Sequence, residues 1–421
     1  MVFKKVLIHS IVFSPDGVST AYLYNDIALR FREDGYEVVV LTTTPHYNLL
    51  SAELVKQPLK RKGFGLFYES DFKGIRVFHV PQKKFRSAIL RIIGFVYWHI
   101  LSFFLGLLQK NVNLILSPSP PLTIGIINLF IGKLKGAKVI YNVQEIYPDF
   151  LINQGKLTIK PVINFLKWME RKVYNNSDAV VTIDDIFYYS IVDRFSEKGK
   201  LIIIPNFVDT DLYRPLTHSD HKLDPHYFQE KKTCLKIMYA GNIGHAQDWE
   251  PLLEIAKNLS SQDVEFYVIG EGVMKSYLKE QINLLNLKNI HLVSYQNRDL
   301  MPSLIAYADL HFIFMSPDME GQGFPSKVYT IMACAKPLLV ISGENTPISN
   351  FLKPVQCAYM INEKKIEDQC SKIEEIIKRL LNDKSELLNL GQNGFIHIEN
   401  TYSKNIVTKQ YVDLANKILN N

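Results

Sequence analysis

Residues 321–341 read GQGFPSKVYTIMACAKPLLVI, and this stretch has the order loop, helix, strand. After a glycine- and proline-containing start, apolar residues recur every three to four positions, which predicts a short helix with one buried face. The Lys336-Pro337 pair breaks that helix before the apolar run at 338–341, which predicts a buried strand. A helix that leads into a wholly apolar strand is typical of an α/β sheet covered on both faces.

The start of this helix contains the first candidate binding site. Ser326 is expected to be the N-cap, with its hydroxyl bonded to an amide of the first turn. Exposed amides at a helix start bind phosphate, and Lys327 adds a full positive charge beside them. We therefore interpret the loop, with Gly323, Ser326 and Lys327, as a binding site for the diphosphate of a nucleotide. An ordinary loop-to-helix crossover with a surface lysine is the alternative.

Length and composition indicate the class of protein. The 421 residues suit two domains of about 200 residues each. A hydrophobic content of 47% with 21% charged residues is ordinary globular composition and excludes disorder. The net charge of +6 comes without a long Lys/Arg block, so we expect no nucleic acid partner. The four cysteines are widely spaced, which predicts reduced thiols in a cytoplasmic protein and no metal site.

One segment has the composition of a membrane-contacting helix. Residues 89–108 are apolar and reach the length of about 20 residues that spans a bilayer. Arg91 and His99 interrupt the segment, and Lys83, Lys84 and Arg86 precede it. Three interpretations compete: a buried helix, an interfacial helix on anionic lipid, and a true span. The second would give the chain peripheral contact with the inner face of the cell membrane through residues 83–108.

Apolar runs and helical segments alternate along the whole chain, which predicts an α/β protein with two Rossmann-like, doubly wound parallel sheets. We place the first domain at 1–205 and the second at 206–403. The last helix, 404–421, is expected to return to the first domain. Two such domains are expected to face each other across a cleft. Ligands of open α/β sheets bind beyond the carboxyl ends of the strands, so the loops at those ends hold the candidate residues.

Two loops of the first half follow predicted strands. Gly17 lies in residues 14–20 (SPDGVST), where it would let the backbone approach a ligand closely. An ordinary turn between strand and helix is the simpler explanation of that loop. Glu145 lies in residues 144–149 (QEIYPD), which hold two carboxylates and a tyrosine. A carboxylate there would orient a sugar hydroxyl or act as a base, and the alternative is a solvated loop acid.

Two glycine-containing loops follow strands of the second half. Residues 241–248 (GNIGHAQD) contain Asn242 and Gly244, whose backbone amides would contact phosphate. Gly270 and Gly272 flank Glu271, where the backbone would approach a base or ribose. A plain turn remains the alternative for the second of these loops.

These segments, in this order, resemble glycosyltransferase family 4, the retaining nucleotide-sugar enzymes of the GT-B fold. They are most similar to its bacterial surface-polysaccharide branch, which makes capsule and O-antigen and includes N-acetylfucosaminyltransferase-like enzymes. The resemblance is carried by residues 205–210 (PNFVDT), 239–244 (YAGNIG), 269–272 (IGEG) and 325–337 (PSKVYTIMACAKP).

The resemblance implies that the second domain binds a nucleotide-diphosphate sugar, with a UDP-sugar favoured. It implies that the first domain binds the acceptor, either a glycan or a polyprenyl-diphosphate-linked saccharide. It further implies retention of anomeric configuration without a metal or cofactor, with Glu145 and Lys327 as the catalytic residues.

The chain departs from the family pattern at the donor site. The two positions of the family's Glu-x7-Glu motif fall on Gln322 and Thr330, and Glu320 is out of register. The family's two cations after the first strand of the second domain fall near Asn242 and Gln247. These losses shift diphosphate binding to Lys327, the helix amides and the loop amides.

The first domain also departs from the pattern, since Gln144 stands at a position that is His in many relatives, next to Glu145. The missing Glu pair keeps a non-catalytic nucleotide-sugar-binding protein as an alternative function. A UDP-N-acetylglucosamine 2-epimerase, which has the same two-domain architecture, is the other.

Overall fold

The computed structural model describes residues 4–46, 51–82, 87–216, 223–228, 234–320 and 325–420. The chain divides into two compact units, each with its own sheet. The first unit comprises Met1–Asn206 and Asn405–Asn421, and the second comprises Phe207–Lys404. The predicted α/β class with two doubly wound sheets is confirmed.

The first unit is built on a nine-stranded sheet, counted over its described residues, with the order β3-β4-β5-β2-β1-β6-β7-β8-β9. Its elements are β1 (Lys5–His9), α1 (Ser19–Glu33), β2 (Glu37–Thr43), α2 (Ser51–Lys56), β3 (Lys60–Lys62), β4 (Phe67–Phe72), β5 (Ile75–Val80), α3 (Ala88–Leu108), β6 (Val112–Ser119), α4 (Leu122–Lys135), β7 (Lys138–Val143), α5 (Asp149–Asn153), α6 (Lys160–Asn176), β8 (Ala179–Thr182), α7 (Asp185–Ile191) and β9 (Leu201–Ile203).

One edge of this sheet differs from the prediction of parallel strands throughout. Strand β4 runs antiparallel to both β3 and β5. Lys73 and Gly74 link β4 to β5 with φ values of 49° and 83°. Positive φ at both central residues gives the turn that suits a two-residue hairpin. The Lys-Gly pair between two apolar residues was the sequence signal for this hairpin.

Helix α3 packs its inner side on this sheet. Trp98 is fully buried and Leu105 nearly so, and both belong to the apolar core that the helix shares with β1, β2 and β5. In the described residues, one helical stretch is long and apolar enough to cross a membrane, Leu90–Leu108, with mean hydropathy 1.7. Only 22% of that stretch is buried within the protein.

The second unit is built on a six-stranded parallel sheet, again over its described residues, with the order β12-β11-β10-β13-β14-β15. Its elements are β10 (Leu235–Ala240), α8 (Glu250–Asn258), β11 (Val264–Ile269), α9 (Lys275–Leu284), β12 (Ile290–Val293), α10 (Met301–Tyr307), β13 (Leu310–Phe314), α11 (Lys327–Ala333), β14 (Leu338–Ile341), α12 (Pro347–Leu352), β15 (Ala358–Ile361), α13 (Ile366–Asn382) and α14 (Ser385–Thr401). The carboxyl ends of β12, β11, β10 and β13 therefore lie side by side.

The last helix, α15 (Lys404–Asn420), leaves the second unit at its first residue and belongs to the first unit from Asn405 onward. Tyr411 of α15 is buried, and its hydroxyl accepts a hydrogen bond from Asn142 Nδ2 at 3.1 Å. Tyr36 in turn donates to Asn416 at 2.5 Å. These contacts attach the end of the chain to the first sheet.

Candidate active site

The Lys327 side chain lies against the carboxyl end of β10. Its Nζ is 3.6 Å from the centroid of the Tyr239 ring. A Cβ atom built on Gly241 would come within 2.4 Å of the same Nζ, so the ammonium occupies the space that glycine leaves. Val328 and Met332 are fully buried and hold α11 in place beneath it. The helix therefore positions Lys327 over the loop that the sequence had marked for phosphate binding.

The Lys327 ammonium has no compensating negative charge among the described residues. Burial lowers the pKa of Lys327 to about 7, and no carboxylate there offsets the effect. The face of Tyr239 gives partial compensation, since an aromatic ring attracts a cation. A half-buried cation whose partner, in the part of the chain that the structure describes, is an aromatic ring is poised to accept an anion.

Ser326 lies at the predicted N-cap position of α11, but the predicted hydrogen bond from its hydroxyl is wrong. Ser326 already has helical backbone angles, with φ −58° and ψ −19°, and its hydroxyl makes no capping hydrogen bond. The amides of Val328 and Tyr329 donate instead to the carbonyls of Pro325 and Ser326, both at 3.1 Å. These two amides are therefore not open to a phosphate, which increases the importance of the Lys327 side chain. Gly323 and Gln322 lie outside the described residues.

The loop after β11 contains residues 270–272 (GEG), and we call it the GEG loop. Both of its glycines are needed for it to pack against the loop after β10. Gly270 has φ 147°, and a Cβ there would stand 1.9 Å from the carbonyl oxygen of Gly241. At Gly272, with φ 158°, a Cβ would stand 2.1 Å from the carbonyl oxygen of Ile243. The loops after β10 and β11 therefore touch backbone to backbone, which leaves no room for side chains.

The residues of the loop after β10 differ in exposure and in their hydrogen bonds. Asn242 is exposed, and its carbonyl accepts a hydrogen bond from the Tyr239 hydroxyl at 2.7 Å. Gly244 is buried, and its carbonyl accepts from Trp249 Nε1 at 3.1 Å. Gln247 is also buried, and its Oε1 accepts from the amide of Phe314 at 3.1 Å. Asn242 is thus the exposed residue of these three, while the Gln247 side chain ties the loop to β13.

Two side chains at this sheet edge were missed in the sequence. Lys275 Nζ lies 2.7 Å from Glu271 Oε1 and 3.0 Å from the Gly270 carbonyl, so this second lysine is already paired. Tyr295 follows β12 and is 60% exposed. Their signals were weak: a lysine at the start of a helix and a tyrosine after a strand.

Glu320 and Thr330 lie near or at the positions of the family's Glu pair, and both form hydrogen bonds within the protein. Glu320 Oε1 accepts the amide of Gly343 at 2.7 Å and so links to the loop after β14. Thr330 Oγ1 donates to the carbonyl of Lys327 at 2.9 Å, inside the same helix. Neither contact supplies a carboxylate to Lys327.

In the first unit, Glu145 lies beyond the carboxyl end of β7. Burial raises the pKa of Glu145, while a hydrogen bond with Tyr147 partly opposes the shift. The nearby Asp149 is different, because it pairs with Arg194 at 2.5 Å, and Arg194 also pairs with the buried Glu170 at 2.7 Å. Of the two carboxylates in the loop, Glu145 is the one without an ion pair among the described residues.

Both the nitrogen and the oxygen of the Gln144 side-chain amide, beside Glu145, form hydrogen bonds. Its Nε2 donates to Asn142 Oδ1 at 2.8 Å, and its Oε1 accepts from Asn206 Nδ2 at 3.1 Å. Asn142 is fully buried and also contacts the hydroxyl of Tyr24. The loop that carries Glu145 is therefore anchored by a buried polar network.

Gly17 lies in the loop between β1 and α1, next to Asp16. Asp16 is buried, and its Oδ1 accepts the amide of His46 at 2.8 Å. The loop is therefore tied to the segment after β2. Gly17 and Glu145 belong to the first unit, whereas the other described candidates belong to the second.

Across the described ranges, no group of three or more His, Cys, Asp or Glu side chains is placed to hold a metal ion. The four cysteines are all reduced and buried.

Comparison with known proteins agrees with this architecture. Residues 224–396 match the family model described as glycosyl transferases group 1. The chain is 22% identical over 343 residues to the putative colanic acid biosynthesis glycosyl transferase WcaI of Escherichia coli (strain K12), covering 78% of this chain and 81% of WcaI.

Two solved structures match over nearly the full length. Anabaena Alr3699/HepE in complex with UDP-glucose has a TM-score of 0.68 at 13% identity, over 98% of this chain and 99% of that one. The catalytic domain of starch synthase IV from Arabidopsis thaliana, bound to ADP and acarbose, has a TM-score of 0.71 at 11% identity, over 100% of both chains. The second unit thus contains a glycosyl transferases group 1 domain, and the two-sheet architecture is that of the GT-B glycosyltransferases.

Proposed function

We propose that this chain transfers a sugar, with retention of configuration and without a metal, from a nucleotide-diphosphate sugar to a glycan or a polyprenyl-diphosphate-linked saccharide in the synthesis of a bacterial surface polysaccharide. A UDP-sugar is the favoured donor. The observation that carries the proposal is the Lys327 ammonium, held at the end of β10 with no described carboxylate beside it. The names of WcaI and of the HepE complex with UDP-glucose support the polysaccharide and the donor.

The order of the strands suggests how the donor would lie across the edge of the sheet. β10, β11 and β12 are neighbours, and adjacent strands lie about 4.8 Å apart, so their ends extend over roughly 10 Å. Lys327 lies at the first end, the GEG loop follows at the second, and Tyr295 at the third. A nucleoside diphosphate lying across these ends would place its phosphates at Lys327 and its base towards Tyr295. Asn242, Gly244 and the exposed Ser326 would line the phosphate end.

Lys327 would act on the leaving group. The bond between the anomeric carbon and the phosphate oxygen breaks, and negative charge develops on the departing diphosphate. A cation already in place stabilises that charge without reorganisation, which is commonly the largest catalytic contribution. The acceptor oxygen bonds to the same face of the sugar, and its proton passes to the leaving phosphate oxygen.

Glu145 of the first unit would act on the other reactant. Its carboxylate has no ion pair in the described residues and can accept a hydrogen bond from an acceptor hydroxyl, or steady the positive charge on the sugar. Asp149 is committed to Arg194 and is not assigned this role.

The donor is tested by thermal unfolding with UDP, GDP, ADP and dTDP. A ligand that binds only the folded state at 100 times its Kd stabilises it by about 2.7 kcal/mol, so the preferred nucleotide should stand out. Transfer is then assayed with the matching nucleotide sugars, and the anomeric configuration of the product is read by NMR. Tight binding without transfer to any acceptor would favour a non-catalytic protein. Conversion of the donor without acceptor would favour an epimerase.

A further inference from the structure

The outer side of α3 is a continuous apolar surface. Its exposed side chains follow helical spacing and are between 49% and 72% exposed. They are Ile92, Ile93, Val96, Ile100, Phe104 and Leu108. Soluble proteins rarely expose apolar patches of this extent unless the patch meets another apolar phase or a partner.

The inner side of the same helix is committed to the protein. Trp98 is fully buried, and the ring of His99 bonds to Thr123 Oγ1 of α4 at 2.8 Å. Gly106 allows α4 to approach, because a Cβ there would stand 2.7 Å from Ile131 Cδ1. Spanning a bilayer would require removal of this side from its core, so α3 can meet lipid only from its outer side.

The apolar surface continues onto two neighbouring helices. α4 packs against both α3 and α6. α4 exposes Phe130 and Leu134, which are 58% and 66% exposed. On α6, Phe165 and Trp168 are each 54% exposed. Their rings are stacked, with the ring centroids 5.9 Å apart. The three helices thus form one layer, which we call the α3–α4–α6 face.

The charges on this face are almost all positive. The three helices contain a single carboxylate, Glu170, which is buried and paired with Arg194. Their exposed cations are Arg91, Lys133, Lys160, Arg171 and Lys172. Lys133 follows Phe130 by three positions, and Lys172 follows Trp168 by four, so both cations flank exposed rings on their own helices. Lys83, Lys84 and Arg86, which were expected to add to this charge, lie outside the described residues.

We propose that the α3–α4–α6 face binds the surface of an anionic lipid bilayer, with its apolar side chains in the interface and its cations among the lipid headgroups. An apolar surface with a basic border and no exposed carboxylate matches such a bilayer in both respects. A second copy of the chain would place the same cations opposite one another, which charge repulsion opposes.

Vesicle flotation of the full chain, without donor or acceptor, tests the proposal independently of catalysis. The chain should float with vesicles of phosphatidylcholine and phosphatidylglycerol at least about tenfold better than with phosphatidylcholine alone. High salt should reduce that preference. Equal binding to both vesicles, or no binding to either, would overturn the proposal.

The fluorescence of Trp168 reports directly whether the α3–α4–α6 face contacts lipid. The chain has three tryptophans, and Trp98 and Trp249 are buried, so a change of emission on adding vesicles reports Trp168. We expect a blue shift with anionic vesicles and quenching by brominated lipid. Trp168→Phe should abolish both changes. An emission that stays constant while the protein floats would show that another surface binds, contrary to the proposal.

Matched variants separate this face from general surface apolarity. The double variant Ile100→Gln/Phe104→Gln should reduce vesicle binding about tenfold or more, by loss of apolar area. Leu284→Gln/Leu388→Gln, at sites 74% and 76% exposed in the second unit, should leave binding unchanged. Resistance of bound protein to alkaline carbonate would instead indicate a true span. Lipid-free dimers that the first double variant dissociates would indicate a second copy. Either result would overturn the proposal.

Discussion

Among the residues described, each of the two units has a predicted catalytic group without an ion pair at the carboxyl edge of its sheet, and the two groups have opposite signs. In the first unit the group is Glu145, after β7; in the second it is Lys327, against the end of β10. Burial moves both towards neutrality, raising the pKa of Glu145 and lowering that of Lys327 to about 7.

Each group also has a neighbour of the same charge that is already paired. Asp149 pairs with Arg194, and Lys275 pairs with Glu271. A carboxylate or ammonium held without its counterion is costly, and such groups are concentrated at functional sites. We therefore propose that in each unit the unpaired member is functional and the paired member is structural.

The largest expected effect is on turnover in the second unit. Lys327→Met keeps length and apolar volume but removes the cation, so transfer should fall about 10²–10³-fold, or roughly 2.7–4 kcal/mol of transition-state stabilisation. The matched variant Lys275→Met removes a cation that Glu271 already neutralises. It should change kcat/KM only slightly. The measurement is kcat/KM for the donor in both variants. Equal losses would contradict the distinction between the unpaired Lys327 and the paired Lys275.

A second effect is expected in the first unit. Glu145→Gln should lower kcat about 10²-fold, because the amide holds a hydroxyl but provides no negative charge. Asp149→Asn should leave kcat near that of the wild type and instead lower the free energy of unfolding by about 1 kcal/mol, through its lost ion pair. Kinetics and chemical denaturation of both variants provide the comparison. A kcat loss confined to Asp149→Asn would reverse the assignment.

The smallest effect concerns stability. Lys327→Met should raise the free energy of unfolding by about 1 kcal/mol while it destroys activity, since an uncompensated buried charge is removed. The unfolded chain binds this proton near the ordinary lysine pKa of about 10.4, and the folded chain does so only near pH 7. Wild-type stability therefore declines as the pH falls between those values.

The gain from Lys327→Met should accordingly be greater at pH 7 than at pH 10. Chemical denaturation of the wild type and the variant at both pH values measures this difference. A variant less stable than the wild type at pH 7 would mean that Lys327 stabilises the apo fold.

Much of the fold was predictable from apolar periodicity. Strand β14 has the predicted bounds, 338–341, because it is a short apolar run bordered by turn residues. The antiparallel hairpin of β4 and β5 was missed, since half-exposed strands such as β4 give weak patterns. Its Lys73-Gly74 turn was the stronger signal.

The site was harder to predict, because its contacts join residues far apart in the chain. The sequence pointed to Lys327, but its approach to Tyr239 and Gly241 depends on how α11 packs. The capping hydrogen bond predicted for Ser326 does not form, because the backbone has already entered helical geometry there. Which of two nearby carboxylates is paired depends on Arg194, which is 45 positions away from Asp149.

Proton uptake on donor binding tests the role of Lys327 most directly. A nucleotide-sugar diphosphate has no proton to gain near neutral pH, so uptake reports the protein. At pH 8 the Lys327 amine is mostly neutral, and binding to a diphosphate should restore its proton, giving uptake of most of one proton per UDP-sugar bound. Calorimetry in two buffers of different ionisation enthalpy measures this number. We predict an uptake close to one proton for the wild type and for Lys275→Met, and close to zero for Lys327→Met. Binding without proton uptake in the wild type, or unchanged uptake in Lys327→Met, would contradict a role for Lys327 in holding the diphosphate.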